Sequence, residues 1–501
     1  MGNDQNSSQL QARVIFLQNF KRNIIYVYST NILNGVLGII LVPLCVKMMG
    51  TSGYGIFSIY SVLISYLALA DMGISKNLLR LLSSDRDQSV QCYNIRIALG
   101  MYLVVVVVLL LMVPVLLLVV PAYIFPVSLE NLTPLRYIVT LTVIEYVVTV
   151  PLLIVQNHCI ANERFDRYSK FTFISGIYRY VLLFTGIWLT GSPVAIVAIM
   201  AARRFIDLFA AKRIMGTLPV GSWKPVFNFV VFRSIVSHSS SLTCAQLFQS
   251  TFIAMGSFLV NINFGLHGLG IYRAVFDLVN KIWFVSNGLA LILFPKFSQM
   301  LSGTERKRMA PAIFIILCLS WAGYNLVSIT GTLFAGEFMS LIGLRQSEMK
   351  VMFMLLLLGV CINSHASLSY EFLQAAGRYR LVAVINLLVV MLMYLSFSGA
   401  IHTTGIYAIA WAWIISQTIY CLLVDTMSLR EMNMSNSDVI KLFLVKMAML
   451  VMPLMAITAK MIYLPDIYGY LLLCLMVVVF AVTAIKSRNI VRLYRINLVP
   501  E

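Results

Sequence analysis

Fourteen long apolar runs divide this chain, and the gaps between them alternate between rich and poor in Lys and Arg. The runs lie at 23–47, 54–80, 97–120, 135–159, 168–190, 193–215, 234–260, 267–297, 309–335, 349–376, 379–400, 404–428, 437–460 and 467–486. At about 1.5 Å per helical residue, each is long enough to cross a hydrocarbon core of roughly 30 Å. With the N-terminus placed in the cytoplasm, the inside segments carry 28 Lys and Arg and the outside loops only 5. Such a bias in short loops is the positive-inside signature. The pattern predicts an all-α integral membrane protein of about 14 transmembrane helices, both ends cytoplasmic. A 60% hydrophobic content with 11% charged residues agrees, since a soluble domain of this length carries far more charge.

The net charge of +18 is spread over eight short cytoplasmic segments. That distribution suits anionic lipid headgroups and not a nucleic acid, which needs a contiguous basic module. Residues 1–22 read as a polar cytoplasmic leader with no signal peptide. The eight cysteines are scattered without a CxxC and read as reduced packing residues. No GxxxxGK[ST] loop occurs, and the five histidines are not paired at ligand spacing, so neither ATP hydrolysis, a metal nor another cofactor is expected. No loop is long enough to form a catalytic domain. Transport, not enzymatic chemistry, is the expected activity.

An internal repeat supplies the architecture. Gly50-Thr-Ser-Gly53-Tyr-Gly55-Ile56-Phe57 and Gly265-Leu-His-Gly268-Leu-Gly270-Ile271-Tyr272 match in three glycines, an isoleucine and an aromatic at a single offset of 215 residues. Six runs separate the copies, and an even number gives both the same orientation in the membrane. The expected organisation is an N-lobe at 23–215 (spans one to six), a cytoplasmic connector at 216–233 with a turn and a short interfacial helix, and a C-lobe at 234–430 (spans seven to twelve). Residues 431–501 then hold spans thirteen and fourteen and a basic tail.

The run Asn34-Gly-Val-Leu-Gly38, Val42-Pro43-Leu44, Met49-Gly50, Gly53-Tyr54-Gly55, Leu69-Ala70-Asp71-Met72-Gly73-Ile74 and Arg80 resembles the start of the Wzx-type oligosaccharide flippases. These belong to the multidrug/oligosaccharidyl-lipid/polysaccharide superfamily. The resemblance implies a bacterial inner-membrane protein that moves undecaprenyl-diphosphate-linked oligosaccharide repeat units to the outer leaflet for O-antigen, capsule or exopolysaccharide synthesis. It implies the lipid-linked oligosaccharide and membrane lipids as partners, alongside a polysaccharide polymerase and a chain-length regulator. The lipid II flippases and the cation-coupled multidrug exporters share the fold and remain as alternatives. A membrane-embedded glycosyltransferase or polymerase fits less well, because the outer loops are short.

A flippase needs a polar path for a diphosphate, so charges inside the spans are the residues to examine. Arg273, Asp277 and Lys281 recur every four residues of span eight, each offset by about 40° around a helix. Lys281 lies roughly 21 Å inward from His267. Either this stripe binds the anionic cargo, or it is a self-neutralised ladder that locks helices together. Arg179, between Tyr178 and Tyr180 in span five, either lines a cavity or snorkels to the surface. Asp71, Lys76 and Arg80 sit toward the cytoplasmic end of span two, where Lys76 or Arg80 offers Asp71 a partner. Glu145 in span four is a carboxylate suited to proton exchange or to a bond with a neighbouring donor. Asp425 and Lys446 are further single charges. Asn31 and Asn34 in span one, with Gln246 and Gln249 in span seven, present neutral amides suited either to a sugar-accommodating lumen or to helix packing.

Overall fold

The computed structural model of the protein describes residues 2–84, 87–162, 164–288, 306–344, 346–432, 434–462 and 464–495. Side chains are described within these ranges except at 2–34, 84, 234–239, 241–242, 306–312 and 486–495, so the expected site residues Asn31 and Asn34 lie outside the described side chains. The described backbone is helical throughout, joined by short turns and without a strand. This is what a chain in lipid must do, because only a helix satisfies every backbone N–H and C=O within one segment.

The helices are α1 (Gly2–Leu67), α2 (Ile74–Ser84), α3 (Gln88–Val119), α4 (Leu129–Ala161), α5 (Phe165–Thr190), α6 (Pro193–Ile214) and α7 (Phe229–Val279). They continue with α8 (Arg306–Leu333), α9 (Ala335–Leu341), α10 (Ser347–Ala375), α11 (Tyr379–Thr404), α12 (Ala408–Glu431), α13 (Asn436–Met461) and α14 (Ile467–Arg495). Local chemistry sets several starts. Asp87 accepts the Ser89 N–H at 2.9 Å to cap α3. Ser192 caps α6 ahead of Pro193 at its first position, and Ser435 caps α13.

Ten stretches of described residues are long and apolar enough to span a membrane. Three of them each merge two expected spans: Gly35–Asp71, Thr243–Gly288 and Tyr379–Glu431. Together the ten account for every expected span except the sixth. α6 falls short because Arg203, Arg204 and Asp207 lie within it.

The repeat identified in the sequence has a conformational counterpart. α1 is two helices joined at Gly50 (φ 72°, ψ 170°), and α7 is two helices joined at Gly265 (φ 66°, ψ −167°). Both glycines occupy the same corner of conformational space, one that is essentially closed to residues with a Cβ. The helix after each kink also breaks. The first passes into a 3₁₀ turn at Ala68–Asp71 and then through Met72 and Gly73, both at positive φ, before α2 begins. The second passes into a 3₁₀ turn at Asn280–Ile282. The expected continuous spans 54–80 and 267–297 are therefore interrupted, and 289–297 lies outside the described residues.

The chain divides into two compact units, Met1–Thr243 and Cys244–Glu501. In the first, α4 packs against α6, α3 and α2, and its inner face forms a core with α2 and α3 through Ile74, Leu78, Ile95, Met101, Tyr102 and Ile154. The segment 216–228 is irregular where a short interfacial helix was expected. It lies along α3: Val226 N–H donates to the Arg96 carbonyl and Arg96 Nε donates to the Lys224 carbonyl, both at 3.0 Å. Gly100 allows this close approach, since a Cβ there would overlap the Val226 carbonyl. In the second unit α10 is the central helix, packed against α12 and α8 and apolar around most of its circumference.

Gly50→Ala and Gly265→Ala should each destabilise the purified protein by about 1–3 kcal/mol, the usual strain of a non-glycine residue in this region. Nothing lies within 4 Å of a Cβ at Gly50, Gly265 or the helical Gly35. Gly35→Ala should therefore be neutral. Thermal unfolding in detergent checks the contrast, because backbone strain alone separates the first two variants from the third.

Candidate functional site

In the first unit four helices bring their polar residues to one buried cluster. Glu145 of α4 is fully buried and accepts from Tyr60 Oη of α1 at 2.6 Å and from Arg204 Nε of α6 at 2.8 Å. Asp207, one turn beyond Arg203 on α6, pairs with Arg203 at 3.3 Å and with Arg204 at 3.4 Å. It also accepts from Ser175 Oγ of α5 at 2.6 Å and from Tyr178 Oη. Glu145, for which the sequence offered no partner, is thus tied on both oxygens. Arg203 and Arg204, within span six, are not among the charges singled out in the sequence. Arg203 is only 5% exposed, and its Nε has no hydrogen-bond partner. Their spacing with Asp207 at i, i+1 and i+4 was the available signal, because it puts all three on one side of α6. Arg179 is exposed and lays its guanidinium 5.2 Å from the Tyr180 ring centroid.

Asp71 does not pair with Lys76 or Arg80. It accepts from Tyr102 Oη and from the Ser75 N–H at 3.2 Å, sitting at the start of α2. The turn at Met72 and Gly73 is the reason, since it turns the carboxylate toward the free N–H groups of the next helix. Lys76 and Arg80 are exposed on α2, and Arg80 donates to Asn77 Oδ1 at 3.1 Å.

In the second unit Arg273 and Asp277 form an ion pair of 2.7 Å one turn apart on α7. Arg273 is 6% exposed and its Nε has no partner. Lys281 falls in the 3₁₀ turn, so the expected three-residue stripe continues as helix only through Asp277. The Arg273 guanidinium lies 5.4 Å from the Phe276 ring, and Phe276 meets Trp283 edge-on at 5.9 Å. Trp283 forms one wall of a cavity of about 110 Å³, lined also by Gln249, Asn363, Asn386, Gln417 and Tyr420. Of the amides expected in span seven, Gln249 lines this cavity and Gln246 is half-buried outside it.

A second cluster joins α10, α12 and α13. Lys446 Nζ donates to Asp425 and lies 2.5 Å from His365 Nε2. Ser369 and Cys421 also donate to the Asp425 carboxylate, and Ser320 bonds His365 Nδ1 at 2.7 Å. Asp425 and Lys446, single charges in the sequence, are therefore partners across two helices. His365, Cys421 and Asp425 hold ligand atoms within 4.8 Å of one another, a donor set suited to a metal ion. The Lys446 ammonium already supplies positive charge inside that set.

The sequence profile of a family described as "Polysaccharide biosynthesis protein" matches residues 20–301. No curated protein matches the sequence. Among solved structures, the fold is similar to that of the lipid II flippase MurJ in an inward closed conformation, at 12% identity over 93% of this chain and 99% of that one, with a TM-score of 0.68. It is also similar to a multidrug resistance MATE family transporter of the MOP superfamily. That transporter, in an inward-facing conformation, matches at 13% identity over 80% of this chain and 96% of the other, with a TM-score of 0.59. An outward-facing conformation of a multidrug resistance MATE family transporter aligns at 13% identity over 82% of this chain and 96% of the other, with a TM-score of 0.57.

Removing one partner of a fully buried ion pair leaves an uncompensated charge, which is worth about 3–5 kcal/mol. Asp425→Asn and Lys446→Met should each destabilise on that scale, and the double variant by much less than their sum. A double-mutant cycle on thermal or denaturant unfolding checks this, and additive losses are the opposing result.

Proposed function

Because the chain belongs to the polysaccharide biosynthesis protein family, we propose that it is a flippase for undecaprenyl-diphosphate-linked oligosaccharide repeat units in a bacterial inner membrane. One observation supports this reading most directly. Arg273 lies inside a membrane-spanning stretch, nearly closed off, with one N–H donor unpartnered beside its ion pair to Asp277. A charged donor left open at that depth is costly unless an anion visits it. The diphosphate of a lipid-linked sugar is such an anion, and a bidentate guanidinium matches its geometry. Arg203, with its own open Nε, is a second cation of the same kind.

In the proposed mechanism the headgroup enters from the cytoplasm while the polyprenyl tail stays in lipid. The two lobes alternate access by changing conformation at the glycine-kinked helices α1 and α7. The Asp277 carboxylate holds Arg273 when no cargo is bound and releases it when phosphate oxygens take over its hydrogen bonds. Both chain ends lie on the cytoplasmic side, in keeping with the Lys and Arg bias. Cytoplasmic residues meet the enzymes that build the cargo, and the outer loops release it to the polymerase and chain-length regulator.

A deletion strain should accumulate complete lipid-linked repeat units and lose its surface polysaccharide. Complementation with Arg273→Ala should restore the protein to the membrane but leave export at least tenfold below wild type. Lipid extraction and surface-polysaccharide blots read both. Normal polysaccharide with lost tolerance to cationic dyes supports a multidrug exporter instead, and accumulation of lipid II with lysis supports a lipid II flippase.

A further inference from the structure

The cavity in the second unit has a property that neither the charges nor the family accounts for: its polar lining is neutral and nearly all carboxamide. Gln249, Asn287, Asn363, Asn386 and Gln417 contribute five amides, with Ser367, Trp283 and Tyr420 between them. Each helix supplies its share at helical spacing: Gln249 and Phe252 on α7, Asn363 and Ser367 on α10, Asn386 and Val389 on α11, Gln417 and Tyr420 on α12.

Hydrogen bonds to the protein fix which polar atoms of several amides remain free. Asn386 Nδ2 donates to the Ala245 carbonyl at 3.0 Å, which leaves its oxygen as an acceptor. Asn363 Nδ2 donates to Gln417 Oε1 at 2.8 Å, which leaves the Asn363 oxygen and the Gln417 nitrogen. Tyr370 Oη donates to Gln249 Oε1 at 2.9 Å, which leaves the Gln249 nitrogen. Gln417 is fully buried and its Nε2 has no partner, and Trp283 Nε1 has none either. A buried donor without a partner is worth about 1–3 kcal/mol of lost stability, so two in one cavity call for an occupant.

We infer that this cavity is a saccharide-binding subsite that holds one uncharged sugar ring of the cargo, apart from the cationic residues that meet its diphosphate. A sugar hydroxyl both donates and accepts, so it fits a wall that alternates free N–H groups with free carbonyl oxygens. Free N–H donors on the lining side chains disfavour a metal or organic cation, and the lack of a cationic residue among the described lining residues disfavours an anion. Trp283, Phe252 and Tyr420 offer the apolar faces that the C–H side of a sugar ring needs. The inference rests on the flippase reading for the source of the sugar.

The test uses full-length protein in lipid nanodiscs and lipid-linked oligosaccharide extracted from the deletion strain, radiolabelled in its sugars. Gln417→Leu removes the unpartnered donor at nearly constant volume, Val389→Trp fills the cavity, and Trp283→Phe keeps the ring and removes one N–H. Gln417→Leu and Val389→Trp should weaken binding at least tenfold, and Trp283→Phe at least threefold. Gln417→Leu also removes the acceptor of the Asn363 hydrogen bond, so its unfolding midpoint should fall, whereas Trp283→Phe removes no hydrogen bond within the protein and should leave the midpoint unchanged while binding weakens. Binding at wild-type strength by the variants that fold overturns the subsite. Trp283→Phe, at a half-buried position, decides the matter if the other two fail to accumulate. A deletion strain that keeps its polysaccharide and accumulates no lipid-linked sugar overturns the flippase reading, and the sugar subsite falls with it. A strain that accumulates units which every variant binds normally overturns the subsite alone.

Discussion

The hydrocarbon interior of a bilayer has no water to satisfy a polar group, and most of this structure follows from that constraint. It makes the chain helical, and it makes intramembrane charges seek partners, on the same helix or on another. Glu145 finds Tyr60 and Arg204, Asp207 finds Arg203, Arg204, Ser175 and Tyr178, and Asp425 finds Lys446 and His365. These pairings link α1, α4, α5 and α6 in one unit and α10, α12 and α13 in the other. Among the described residues, the buried side chains that keep an N–H without a partner are Arg203, Arg273, Trp283, Trp321 and Gln417, and the proposed cargo contacts are drawn from four of them.

The two kinked helices show how conformational freedom is placed. Gly50 and Gly265 sit at matching positions of a repeated motif and take the same left-handed, extended backbone. Downstream of each, the helix tightens into a 3₁₀ turn before helical structure resumes. In a protein proposed to alternate between two states, a rigid helix interrupted twice is a natural hinge. The close packing at Gly100, where the 216–228 segment lies on α3, marks a place held fixed instead.

Legibility in the sequence tracked the range of each interaction. The apolar runs, the alternating Lys and Arg, and the Gly-rich repeat are local and were readable. The i,i+4 pair of Arg273 and Asp277 was readable for the same reason, since one helix suffices to bring them together. Lys281 was placed on that stripe by assuming a continuous α-helix, where the structure has a 3₁₀ turn at 280–282. Asp71 was given a cationic partner by the same assumption. The partners of Glu145, Asp425 and Lys446 come from other helices, at separations such as the 59 residues between Glu145 and Arg204. Arg203 and Arg204 were passed over in the same way, although Asp207 one turn away was the hint.

The carboxamide cavity was missed for a different reason. A search for charge passes over neutral amides, yet Asn363, Asn386 and Gln417 each stand near the middle of an apolar run, where an amide is nearly as exceptional as a charge. Sequence alone settled what a single segment decides: a polytopic helical protein, with a glycine motif used twice at 215 residues' distance. Tertiary structure decided which polar groups neutralise one another and which stay open. The physical reason is that hydrogen bonds and ion pairs depend on distances of about 3 Å between helices, and apolar periodicity sets the axis of each helix but not the neighbour its polar side chains will meet.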